Sequence, residues 1–124
     1  MNDPFVELCG IEFDKIEEGH CEGHCVIEEK HLNPWGISHG GLLFTLLDTI
    51  AGTAGRYSTG NMEEPKNLVT LSSTVYFVKA ALPGLVVAKA DVVKSGKNVV
   101  IVDAAVYSGE TVLTRASFEF FCVG

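Results

Sequence analysis

At 124 residues the chain has the length of one domain, and 47% apolar against 20% charged residues is enough for a packed core. The formal charge of -7 argues against a nucleic-acid surface, which needs a basic patch, while leaving room for a local basic spot that meets a small anion. No run approaches the roughly 20 apolar residues of a membrane span, and MNDPFVELCG lacks the basic-then-apolar order of a secretory leader, so a soluble, cytoplasmic protein is expected. Cys9, Cys21, Cys25 and Cys122 are then expected to be reduced.

Asp3, Pro4 and Gly10 bracket one short helix as cap, first turn and stop. Residues 11–29 read as two extended segments turning near Glu18-Gly19, and His31 to Gly36 forms an irregular turn marked by Pro34 and Gly36. From an expected N-cap at Ser38, Leu42, Leu43, Phe44, Leu46, Leu47, Ile50 and Ala51 make a helix apolar nearly all the way round, and therefore buried. Gly52 and Gly55 weaken its far end before a polar linker over 58–65. Segments near 67–79, 85–94, 98–107 and 111–122 read as strands joined by glycine-containing turns, a meander of antiparallel hairpins. A meander must cover its apolar face, and the long helix is apolar enough to do it, so an α+β fold with the sheet wrapped around one central helix is expected, as a single domain over 1–124.

Three features stand out as chemistry. Asp48 lies in the apolar helix between Leu47 and Ile50, where an unpaired buried carboxylate is costly unless the position faces solvent. His39-Gly40-Gly41 opens the same helix, where amide N–H groups have no helical acceptor and negative charge is favoured. The paired glycines either let a substrate reach the Gly40 N–H or simply allow a tight packing contact. Asn33 adds a side-chain donor in the turn before it.

Together, Asn33-Pro34-Trp35-Gly36-Ile37-Ser38-His39-Gly40-Gly41 followed by Asp48 resembles the active-site segment of the PaaI-type hotdog thioesterases, an N-x-x-G-x-x-H-G-G run with an acid at this spacing. The order of elements resembles that family over nearly the whole chain. The resemblance implies a hotdog fold and hydrolysis of an acyl-CoA or aryl-CoA thioester without a cofactor, at composite sites of a homodimer often doubled to a homotetramer. It implies Gly40 as the donor polarising the thioester carbonyl with Asn33 beside it, His39 as a support next to the thioester, and Asp48 as general base or nucleophile. Thr70 matches the residue that helps hold the attacking water, with Ser72 or Ser73 as the match if the register slips. Gly41 and the hairpin Lys94-Ser95-Gly96-Lys97 fall where relatives meet the substrate, the hairpin against the coenzyme A nucleotide; Arg56 is a second phosphate candidate, and a lysine-rich tip is also an ordinary solvated turn.

His20-Cys21-Glu22-Gly23-His24-Cys25 has the residue types of a metal site. In a strand, however, His20 and His24 stand about 13 Å apart and the cysteines point to the other face, so no metal is expected. Competing functions are a hotdog dehydratase or hydratase, which pairs its histidine with an acid in a different motif, and a non-catalytic acyl-CoA-binding protein or dimerisation module. Trp35, Phe44 and Tyr57 are candidates for an aromatic acyl pocket and equally for the core.

Overall fold

A computed structural model describes residues 3–124. Helix α1 (Pro4–Cys9) is capped by the Asp3 side chain, which accepts the Val6 N–H, and stops at Gly10, whose φ of 78° is a left-handed conformation. Strands β1 (Ile11–Glu17) and β2 (His20–Ile27) form the expected hairpin. In β2 the alternation is strict: Cys21, Gly23, Cys25 and Ile27 are buried, while His20, Glu22 and His24 occupy the outer face. Glycine is required at 23, because a Cβ would collide with the Ile50 side chain and come within 2.7 Å of the Glu12 carbonyl oxygen. The helix therefore lies directly on this strand.

A 3-10 turn over Glu29–His31 leads to helix α2 (Gly40–Arg56), which runs unbroken through Gly52 and Gly55. The remaining strands are β3 (Leu68–Phe77), β4 (Gly84–Ser95), β5 (Val99–Ser108) and β6 (Thr111–Cys122). All six strands join one antiparallel sheet in the order β1-β2-β4-β5-β6-β3. The sheet curls around α2, whose Leu46, Leu47, Ile50, Ala51 and Ala54 are fully buried among Val86, Ala88, Val100, Val102, Val106 and Phe118. This is the hotdog fold.

Two expectations are corrected. The strands after residue 66 are not a simple meander, since β3 pairs with β6 at the far edge and β4 joins β2. The 78–83 connection crosses beneath the start of α2, where Ala81 is buried and its carbonyl accepts the Ser38 N–H at 2.8 Å. Nor is α2 covered all round. Between the sheet edges β1 and β3, its face bearing Asp48, Thr49, Gly52 and Thr53 is only half-buried.

On the outer face His20 bridges Asp91 (2.6 Å) and Glu22 (2.7 Å), and His24 bridges Asp14 (2.8 Å) and Glu12 (3.3 Å). Hydrogen bonding to Glu22 and Asp91 raises the His20 pKa above 6.5, and Asp14 chiefly raises that of His24. Folding thus gains from the charged imidazoles below 6.5, and the gain disappears as pH rises through the higher folded values. We expect Tm to fall between about pH 6 and about pH 9, and the slope to flatten in a His20→Gln/His24→Gln double variant. An equal slope in both proteins would show that these ion pairs contribute nothing to stability.

The cysteine thiols Cys21 and Cys25 are buried on the opposite side of β2 from these histidines, and burial pushes the Cys21 pKa up to about 12. Both are free, as are Cys9 and Cys122.

Candidate active site

The N-cap of α2 is His39 rather than Ser38. Ser38 is buried and turned into the connection to Ala81, so its side chain bonds only the neighbouring His39 carbonyl. The His39 Nδ1 accepts the Gly41 N–H at 2.8 Å, which leaves the ring proton on Nε2. A Cβ on residue 41 would lie 2.9 Å from that Nδ1, so the second glycine is needed for the ring to fold back over the helix end. The Leu42 N–H is taken by the His39 carbonyl. Among the described residues the Gly40 N–H has no acceptor, and a Cβ on Gly40 would meet the Phe77 ring at 3.4 Å. One amide at a helix N-terminus is thus left to bind an oxygen from outside the chain, while the Gly41 amide is occupied.

Asn33 shapes the preceding turn. Its Oδ1 accepts the N–H groups of Trp35 (2.9 Å) and Ile37 (3.4 Å), which leaves the Nδ2 amide as its donor. His31 anchors the other side, accepting the Glu28 N–H at Nδ1 and donating from Nε2 to the Cys9 carbonyl at 2.9 Å. Its own carbonyl accepts the His39 N–H, so the helix entrance is pinned to α1.

Asp48 is in a different cleft. The Thr70 hydroxyl donates to its Oδ1 at 2.6 Å. This contact depends on a β-bulge in β3: Thr70 stands opposite Phe120 and Ser72 opposite Glu119, with Leu71 inserted between them. In a regular strand the inward positions 77, 75 and 73 would continue to Leu71, and Thr70 would point outward. The other candidates are engaged elsewhere, Ser72 with Glu119 at 2.7 Å and Ser73 with the Ser117 carbonyl.

The Asp48 cleft has a volume of about 450 Å³ and includes Phe13, Ile16, Thr49, Gly52, Thr53, Arg56, Tyr57, Leu68, Thr70 and Phe120 in its lining. His39 and Gly41 line a separate recess with Phe5, Cys9, Lys30 and Thr45. Within one chain, the helix entrance and Asp48 therefore do not converge. Eight residues of helix put about 12 Å between Gly40 and Asp48 along the axis.

Arg56 lies in the Asp48 cleft, its Nε donating to the Lys66 carbonyl at 3.0 Å. At the β4–β5 hairpin a bulge at Val93 sets Lys94 opposite Ile101, on the outer face, and Ser95 opposite the buried Val100. Lys66, which the sequence did not single out, reaches Ser95 Oγ (2.6 Å) and the Gly96 carbonyl (3.0 Å). Its place just after the polar linker gave no signal, because only folding brings that stretch to the hairpin. Gly96 needs its lack of side chain, since a Cβ would come within 2.8 Å of the Val99 carbonyl oxygen; Lys97 is exposed at the tip. Of the aromatic candidates, Trp35 is 82% exposed, Phe44 packs on Phe118, and Tyr57 lines the Asp48 cleft.

The sequence profile of the thioesterase superfamily matches residues 36–114. A Saccharolobus solfataricus protein whose name proposes an esterase is 33% identical over 102 residues, which is 82% of this chain and 65% of that one, so the chain spans just under two thirds of that relative's length. Among solved structures, a Streptococcus mutans protein bound to acetyl-CoA superposes with a TM-score of 0.84 at 27% identity, covering 92% of this chain and 89% of that one. The Escherichia coli PaaI protein of the phenylacetic acid degradation operon shares the fold at a TM-score of 0.90 and 22% identity, over 99% and 86% of the two chains. The fold is that of the hotdog proteins. The chain belongs to the thioesterase superfamily.

Proposed function

We propose that the protein is an acyl-CoA thioesterase acting as a homodimer, with each site built from the helix entrance of one chain and the Asp48 cleft of the other. The observation that carries this reading is a free Gly40 N–H at a helix N-terminus and a Thr70-held carboxylate at Asp48, held about 12 Å apart along the axis of one helix so that one chain cannot bring them to the same thioester. The thioester carbonyl oxygen sits against the Gly40 N–H, with Asn33 Nδ2 as second donor and His39 beside it. Charge that develops on this oxygen is stabilised by donors already in place. The partner's Asp48 takes a proton from water as the water oxygen bonds to the carbonyl carbon; the tetrahedral oxyanion then collapses, the C–S bond breaks, and the thiolate leaves. Alternatively the carboxylate attacks directly and water hydrolyses the resulting anhydride. Thr70 holds one carboxylate oxygen and leaves the other for either role.

Lys94 and Lys97 at the hairpin, with Lys66 beside them, supply positive charge for the coenzyme A nucleotide on an acidic protein, and Gly96 keeps the turn between them tight and open to it. Gly41 serves by letting His39 cap the helix. The exposed apolar edge strand β3, with Val69 and Leu71 at 50% and 58% exposure, suits pairing with a second copy, and association of two such dimers into a tetramer fits the same reading. The whole works as one hotdog unit of the cytoplasm. Among the described residues no helix is long and apolar enough to cross a membrane.

The test is release of free thiol from short, long and aromatic acyl-CoA thioesters by the purified protein, with and without chelator. We expect turnover of at least one class, insensitive to chelator. Binding of the thioesters with no thiol release would make the protein an acyl-CoA binder instead.

A further inference from the structure

The Asp48 cleft holds one cation that thioester hydrolysis does not use. Asp48, Gly52 and Arg56 follow one another at four-residue spacing along α2, so they share a face of the helix. Gly52 contributes no side chain between them, and Phe13, Ile16, Leu68 and Phe120 give the cleft apolar walls. Arg56 is half-buried at the end of this groove, about 12 Å along the axis from Asp48. Its Nε is engaged by the Lys66 carbonyl and its guanidinium lies 5.8 Å from the Tyr57 ring centroid. Among the described residues, no hydrogen bond or ion pair occupies its Nη groups. The charged groups lining the groove are Asp3, Asp48 and Arg56. Asp3 is already committed to capping α1.

We propose that this groove receives the acyl group and that Arg56 selects substrates with a hydrogen-bond-accepting, anionic far end: ω-carboxyacyl thioesters of medium length. The inference rests on the reading of Asp48 as the residue at the thioester. Methylenes pass between the apolar walls, and a terminal carboxylate meets the fork of N–H donors on the guanidinium, which matches carboxylate geometry. Among the described residues the only other charged groups lining the groove are Asp3 and Asp48, which repel a carboxylate, so its favourable position is also the one that stretches the chain toward Arg56. The coenzyme A pyrophosphate is a poorer fit, because two amide units and their spacers separate it from the sulfur and place it beyond a groove this short.

The experiment compares octanoyl-CoA with its ω-carboxy counterpart, as non-hydrolysable thioether analogues in calorimetric titrations and as thioesters in the thiol-release assay. Wild type is expected to bind the ω-carboxy analogue at least about tenfold more tightly, and Arg56→Gln to remove that preference while Arg56→Lys keeps part of it. Equal affinity for the two analogues in wild type would overturn the proposal without relying on any variant. A parallel loss for both analogues and for free coenzyme A in Arg56→Gln would also overturn it, placing Arg56 at the nucleotide. Preference in binding with no hydrolysis of either thioester would support the groove assignment and sink the enzymatic reading instead; failure to bind either analogue would overturn both.

Discussion

Asp48→Asn should lower kcat by about a thousandfold or more while changing affinity for a thioether analogue little. Asparagine keeps the size and shape of the side chain, and its carbonyl oxygen can still accept the Thr70 hydroxyl that now bonds Oδ1 at 2.6 Å. What it loses is a base for water and a nucleophile for the carbonyl carbon, so either mechanistic role predicts the same collapse. The position is half-buried and faces the cleft between β1 and β3, so the variant is expected to fold and to melt near the wild-type temperature. Near-wild-type turnover would reduce Asp48 to a polar residue on the open face of α2. To separate base from nucleophile, single turnover in water enriched in heavy oxygen can be used: label found in the protein carboxyl group requires the anhydride.

Restoring activity by mixing two dead proteins is the second large effect. Asn33→Asp keeps an oxygen to accept the Trp35 and Ile37 N–H groups, so the turn survives, but it removes the Nδ2 donor and places a negative charge near the developing oxyanion. Homodimers of Asn33→Asp and of Asp48→Asn should each be crippled. In a heterodimer of the two, one composite site carries both substitutions and the other carries neither. Random reassembly makes half the dimers heterodimers, each with one live site of two, so activity should return to roughly a quarter of wild type. No recovery despite demonstrated subunit exchange would place Asn33 and Asp48 in one site within one chain, and the shared-site reading would fail.

What the sequence determined by itself is local. Capping and stop residues bracket α1 because their preferences act within a few residues. The Cys21/Cys25 side of β2 is separated from the His20/His24 side by alternation alone, since successive side chains of any strand point to opposite faces. The apolar run marks α2 as the core helix, and the Asn33 to Asp48 pattern is dense enough to identify the family. The tertiary structure decided whatever depends on two segments meeting. Ser38 has the composition of an N-cap, but its amide is drawn to Ala81 and the cap passes to His39. Strands β3 and β4 have the spacing of a hairpin, yet β3 lies at the far edge beside β6, since strand pairing is a long-range choice governed by how the sheet covers the helix. Thr70 faces Asp48 only because Leu71 bulges from the ladder, and a slip of one residue would have pointed it to solvent. Arg56 ends in the Asp48 cleft and Lys66 at the hairpin for the same reason: a charged side chain beside a glycine or at the end of a polar linker has no periodicity to reveal its partner, and its place is fixed only when the sheet closes around the helix.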